Sequence, residues 1–79
     1  MNIRLLYFAA LAGATGCTTE SVQTDCGDAA ALYDEIAARC RLPFARNRLR
    51  VAINGVFASW EQRLRDGDEV ALLPPVSGG

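Results

Sequence analysis

Glu69-Val70-Ala71-Leu72-Leu73-Pro74-Pro75 is the stretch on which the fold turns. Glu69 to Leu73 is short and almost wholly apolar, the pattern of a buried strand. Two prolines end it, because neither can donate to a sheet ladder and both impose an extended path. Asp66-Gly67-Asp68, just ahead, is a turn. The other strongly apolar run lies at the far end of the chain, from Ile3 to Leu11. After Arg4 it is apolar on both alternating faces, which predicts a buried central strand over residues 3–11. Two glycines and a threonine between Ala12 and Gly16 then predict a turn. As the most apolar strands, the first and the last are the natural central pair, lying parallel and joined through everything between them.

The intervening sequence supplies what such a pair needs. Thr18 to Thr24 is rich in β-branched residues but mostly polar, which suggests an edge strand pairing back on the first. Asp28 stands where a helix N-cap belongs, and residues 29–41 follow with strong helix formers. Ala29, Leu32, Ile36 and Cys40 fall on one stripe of that helix. Glu35 and Arg39 are spaced as an outward i,i+4 pair, Arg39 and Arg41 complement the helix end, and Pro43 prevents continuation. Leu49 to Ile53 alternates as a half-buried strand, Asn54-Gly55 signals a tight hairpin, and Val56 to Ala58 is the short return. Trp60 to Arg65 reads as an irregular link, with Trp60 covering one end of the core. The order strand, strand, helix, strand, short strand, strand is that of an α+β ubiquitin-like β-grasp roll, a mixed sheet with one main helix packed across it.

With 79 residues and 8.5 kDa there is room for one small domain. A chain this size hides roughly 60% of its unfolded surface, so the core is thin and a deep pocket of its own is not expected. The apolar content of 51% and mean hydropathy of +0.11 argue for a packed globule. A net charge of -1 gives no general nucleic-acid footprint. There is no His and no Lys. Imidazole bases, His-ligated metals, Schiff-base lysines and phosphate-binding Walker lysines are therefore excluded. Cys17, Cys26 and Cys40 are an odd set without a Cys-x-x-Cys pair, matching neither a zinc site nor a disulfide framework. They read as small half-buried thiols of a reducing, cytoplasmic protein, and a sulfur relay through one of them lacks a neighbouring Lys or His to activate it. Arg4, the apolar run Leu5 to Ala14 and Thr15-Gly16-Cys17 resemble a lipoprotein signal ending at a lipidated cysteine. The single basic residue, Ala14 where such signals favour Leu, and the need of the core for this strand favour a folded segment instead. No run is long enough for a membrane span, so no membrane is expected.

The C-terminus carries the chemistry. The expected organisation is a domain over residues 1–75 and a flexible tail over 76–79. Gly78-Gly79 is the narrowest peptide that can slide into a slot and present an α-carboxylate to another protein. Such a carboxylate can be adenylated and then converted to a thiocarboxylate or an amide, and the tether raises its effective concentration in the partner's pocket. The competing reading of two terminal glycines is a frayed end without function.

Asp66 to Gly79 as a whole closely resembles the C-terminal signature of the MoaD/ThiS ubiquitin-like sulfur-carrier family. The Pro74-Pro75 pair favours its molybdopterin branch over the thiamine carriers. Leu6-Tyr7-Phe8-Ala9, Ala31-Leu32-Tyr33 and Val51-Ala52-Ile53-Asn54 extend the resemblance over the whole chain. One departure is Ala12, where the family often has Arg after Leu; if that Arg touches a partner, part of the docking surface differs here. The resemblance implies that an activating enzyme spends ATP to adenylate Gly79, that a sulfurtransferase supplies sulfur, and that the resulting thiocarboxylate donates it to cyclic pyranopterin monophosphate. It implies a tail of Val76, Ser77, Gly78 and Gly79 entering the active site of a large synthase subunit, in an assembly of two large and two small subunits. It also implies no permanently bound cofactor or metal, and acid–base groups on the partner, so that this chain is itself a non-catalytic subunit. A protein modifier forming isopeptide bonds would use the same activation and remains the alternative, as does a thiamine-type carrier.

Phe8, Pro74 and Pro75 are candidates for an apolar docking patch, with a core position the equal alternative for Phe8. Five of the eight arginines lie between residues 39 and 50. They read either as a solvated basic face or as the counterpart of an acidic patch on the activating enzyme. Asp66, Asp68 and Glu69 read as a turn rather than a metal site, since no further ligands accompany them.

Overall fold

The strand Glu69–Leu73 is the middle of the sheet. The computed structural model describes residues 1–8, 10–42 and 44–74. In chain order these form β1 (Asn2–Tyr7), α1 (Ala10–Thr15), β2 (Thr19–Gln23), α2 (Ala29–Cys40), a 3-10 turn (Arg46–Arg48), β3 (Arg50–Ile53), β4 (Val56–Ala58) and β5 (Glu69–Leu73). The strand order is β2-β1-β5-β3-β4. Strands β1 and β5 are parallel, with Arg4 opposite Glu69 and Tyr7 opposite Leu72. The pairs β1/β2, β3/β4 and β3/β5 are antiparallel. This is the mixed sheet expected of a β-grasp roll, with its helix across one face.

Side chains alternate across a strand, so each strand gives the helix one face. Ile3, Leu5 and Tyr7 of β1, Val51 of β3, and Val70 and Leu72 of β5 are buried with Ala29, Leu32, Tyr33 and Ile36 of α2. Leu11, Leu49 and Leu64 close the ends of this layer. Trp60 covers one end as expected, its ring 5.5 Å from that of Tyr33 in an edge-on arrangement. The helix starts where the cap is: Asp28 is extended, and its Oδ1 accepts from the Ala31 amide at 2.8 Å. Its end differs from expectation. Arg41 takes the left-handed conformation (φ 53°) and its amide reaches back to the Ala37 carbonyl at 2.8 Å. That cap terminates the helix at Cys40, and Pro43 lies outside the described residues.

Two further expectations are corrected. The first strand does not continue to Leu11, and the segment after it is not simply a turn. Residues 10–15 (Ala-Leu-Ala-Gly-Ala-Thr) form helix α1, since alanine and leucine favour a helix and Leu11 gains full burial. Gly16 ends it at φ 82°. Nor do Glu35 and Arg39 pair. Arg39 binds Glu20 of β2, while Glu35 accepts from Thr24 Oγ1 at 2.8 Å and Cys26 Sγ at 2.9 Å. Partners on the neighbouring elements displace a local pair worth only about 0.3–0.5 kcal/mol. The run Leu5 to Ala14 that resembles a lipoprotein signal is thus built into the fold, with Leu5, Tyr7 and Leu11 in the core.

Candidate functional site

Among the described residues, nothing covers the sheet face turned away from α2. Directly paired residues share a face, so the register places Leu6, Ala52, Phe57, Ala71 and Leu73 together on it. Phe8 continues the β1 row. Alanines occupy the middle of this set and large side chains its margins, which leaves a shallow groove of about 270 Å³ lined by Leu6, Phe8, Ala52, Phe57, Ala71 and Leu73, with Gly55 and Glu69 at one end. Phe8 is 45% exposed and Phe57 61%. The Arg50 guanidinium lies 4.5 Å over the Phe57 ring and so borders the groove with positive charge. Strand β5 runs along the groove floor and leads through half-buried Pro74 towards the C-terminus.

Phe8 thus stands on the open face rather than in the core, and Pro74 at the foot of the tail. The remaining predicted site residues, Pro75, Val76, Ser77, Gly78 and Gly79, lie outside the described residues, as does the expected boundary between domain and tail. Leu6, Phe57 and Leu73 were not singled out by sequence reasoning. Their signal was present in part: Phe57 stands between the exposed Val56 and the small Ala58, directly opposite Ala52 across the hairpin. Ala12, at the position where the family often has Arg, sits half-buried on α1.

Turn chemistry accounts for the carboxylates near β5. Asn54 (φ 53°) and Gly55 (φ 85°) form the hairpin turn. The Asn54 amide nitrogen Nδ2 donates to Asp68 Oδ1, and Asn54 Oδ1 accepts from the Glu69 backbone amide, each at 3.0 Å. Asp68 Oδ2 accepts from the Arg65 amide at 2.8 Å, and Asp66 Oδ1 from the Asn2 amide at 2.6 Å. These acids hold loops together and set the start of β5. The thiols are equally occupied. Burial pushes the Cys26 thiol up, and its hydrogen bond to Glu35 adds to the effect. It therefore stays protonated at neutral pH and is a poor nucleophile. Cys17 and Cys40 are half-buried free thiols beside the core. Among the described residues, no helix is long and apolar enough to cross a membrane.

Among the described residues there is thus an exposed apolar groove floored by β5, and the sequence holds no side-chain general base of the His or Lys type. The ThiS family model matches residues 5–79. The chain belongs to the ThiS family. It is 36% identical over 80 residues to the molybdopterin synthase sulfur carrier subunit of Escherichia coli (strain K12), covering 98% of this chain and 99% of the relative. The crystal structure of H. volcanii small archaeal modifier protein 1 has a TM-score of 0.78 at 29% identity, covering 95% of this chain and 98% of that one. A chain from the complex of subunits 1 and 2 of the molybdopterin-converting factor of Helicobacter pylori 26695 shares the fold, with a TM-score of 0.70 at 22% identity and coverage of 100% of both chains. The ThiS-family match runs through the tail, and the homology to molybdopterin synthase sulfur carriers spans nearly the whole chain.

Proposed function

We propose that this chain is the sulfur-carrying small subunit of a molybdopterin synthase, working through the carboxylate of Gly79. That carboxylate attacks the α-phosphorus of ATP on an adenylating enzyme and releases pyrophosphate. A sulfur donor, loaded by a sulfurtransferase, then displaces AMP and leaves a thiocarboxylate. Docked on the large subunit, the tail Val76-Ser77-Gly78-Gly79 delivers this sulfur to cyclic pyranopterin monophosphate, and the carboxylate is restored. The partner supplies acid–base groups and the pocket; this chain supplies one reactive group and the face that positions it. ATP is consumed on the activating enzyme, and no cofactor or metal is held between cycles. Two small subunits on two large ones, in the cytoplasm, complete the reading.

The observation that carries it is the end-to-end likeness to a sulfur carrier subunit, together with an apolar groove through which the tail-bearing strand runs. A partner can grip that face while a tail too slender to clash enters its active site. Intact mass after co-expression with the adenylating enzyme and sulfur donor tests it. An oxygen-for-sulfur mass gain confined to the C-terminal residue is expected, and removal of Gly79 should abolish both that product and molybdopterin formation. Retained activity without Gly79 would refute the assignment. The likeness to an archaeal modifier protein supports a second reading, attachment of the same carboxylate to lysines of other proteins. That reading requires higher-mass conjugates on a blot, which the carrier reading does not.

A further inference from the structure

The link between α2 and β3 carries Arg41, Arg46 and Arg48, all exposed, and no acidic residue lies between positions 39 and 50. Arg39, just ahead of it, is engaged by Glu20. Arg46 approaches only Asp34, at 3.8 Å and with both side chains largely in water, a pair of little value. Arg41 and Arg48 have no acidic partner among the described residues. Apolar residues of the same link hold it in place. Leu42 and Phe44 pack on the core, Leu49 is buried, and the Tyr33 hydroxyl donates to the Phe44 carbonyl. The 3-10 turn closes through Arg48 N to Ala45 O at 2.9 Å and Leu49 N to Arg46 O at 3.0 Å. The arginines are therefore presented from an anchored strap.

Register fixes where that strap points. Arg50 lies opposite Leu73 in the antiparallel β3/β5 pair. Backwards from Arg50, the chain passes the same end of the sheet at which β5 runs out towards the tail. Arg50 also borders the apolar groove through Phe57, so charge and groove are continuous around the tail's root. Five residues follow Pro74, and at up to about 3.6 Å each they reach at most about 18 Å. In a pocket that receives the extended tail, the strap thus meets the rim rather than the reacting phosphates.

We propose that Arg41, Arg46 and Arg48 dock on an acidic protein surface at the mouth of the adenylating enzyme's tail pocket. The inference rests on the carrier function proposed above. Loading is a repeated encounter followed by release, and charge complementarity speeds encounter without requiring a long-lived complex.

The test measures carrier-dependent ATP–pyrophosphate exchange with the adenylating enzyme that loads the wild-type chain, over a range of carrier and salt concentrations. Replacing the three residues together (R41Q/R46Q/R48Q) should raise the carrier KM about tenfold at low salt, a modest instance of electrostatic steering. The turnover number should be unchanged, and the salt dependence of KM should flatten. Arg63 and Arg65 lie at the other end of the sheet, beside Gly27 and the start of β1, so R63Q/R65Q controls for net charge and should leave KM within about twofold. An unchanged KM in the triple variant, an equal rise in the control, or a loss confined to large-subunit affinity would overturn the proposal. If the wild-type chain supports no Gly79-dependent exchange, the carrier function falls and this inference with it. Intact exchange with unaffected variants sinks the inference alone.

Discussion

Phe57→Ala should separate docking from folding. Phe57 is 61% exposed at the margin of the groove. A phenylalanine commonly buries about 150–250 Å², so roughly 120 Å² of its ring is left for a partner to cover. At about 25 cal/mol per Å² this is a ceiling near 3 kcal/mol. Ordering and desolvation at an interface consume part of that, so a loss of about 1.5–3 kcal/mol is expected, some 10- to 150-fold in Kd. Within the folded monomer the truncation forfeits chiefly the Arg50 stacking, about 0.5–1 kcal/mol at an exposed site. At roughly 4–8 °C per kcal/mol for a domain this small, Tm should fall by about 2–8 °C. Leu72→Ala is the contrast. Leu72 is 1% exposed in the central strand, and its loss should cost about 2–5 kcal/mol. That is a large fraction of the roughly 4–12 kcal/mol expected of such a chain. Titration calorimetry against the large subunit, paired with thermal melts of the free chain, reads both quantities. If Phe57→Ala binds as tightly as wild type, or melts as early as Leu72→Ala, the open face is not a docking surface and the reasoning fails.

Four further outcomes follow from local geometry. Asp28→Ala removes the side chain that caps α2 and should cost about 1 kcal/mol, with Asp28→Asn restoring most of it; thermal melts of the pair decide. Gly55→Ala places a side chain at φ 85° and should destabilise by about 1–2 kcal/mol, read as faster amide exchange in β3 and β4. Gly13→Ala, within α1 and facing open space, should instead stabilise by about 0.5–1 kcal/mol. Hydrogen bonds from Cys26 and Thr24 hold the Glu35 carboxyl below its usual value. A depressed folded-state pKa contributes stability that is complete above the unfolded value of 4.5 and is lost as pH falls through the folded one. Wild type should thus lose Tm faster than Glu35→Gln below about pH 4.5, and parallel melting curves for the two would contradict this.

Elements encoded by local pattern were legible in the sequence. The Asp28 cap, the helix behind it, the Asn54-Gly55 hairpin and the parallel pairing of the end strands depend on neighbours in sequence or on the two most apolar runs. What escaped depends on tertiary choices. Apolarity on both faces of β1 cannot tell a strand buried on both sides from one with an open second face, so Phe8 stood equally as docking candidate or core residue and Leu6 was not singled out. Helix α1 hid inside that run because alanine and leucine suit either conformation once the register of the strand is unknown. Arg39 chose Glu20, which is distant in sequence, over Glu35 one turn away. The groove as a whole was invisible, since Leu6, Ala52 and Ala71 are brought together only by the pairing of β5 with β1 and β3, neither of which adjoins it along the chain. The chemistry proposed for the tail rests on its residues alone and needs no cavity in this chain.

The central position of β5 has a consequence for biosynthesis. Its ladder partners, β1 and β3, lie far upstream, and β1 is translated first. The ribosome must therefore deliver the codons through Leu73 before the sheet can close. A product terminated before Glu69 lacks the strand that joins its two halves and cannot close the sheet. Sheet closure thereby reports that translation has passed Leu73.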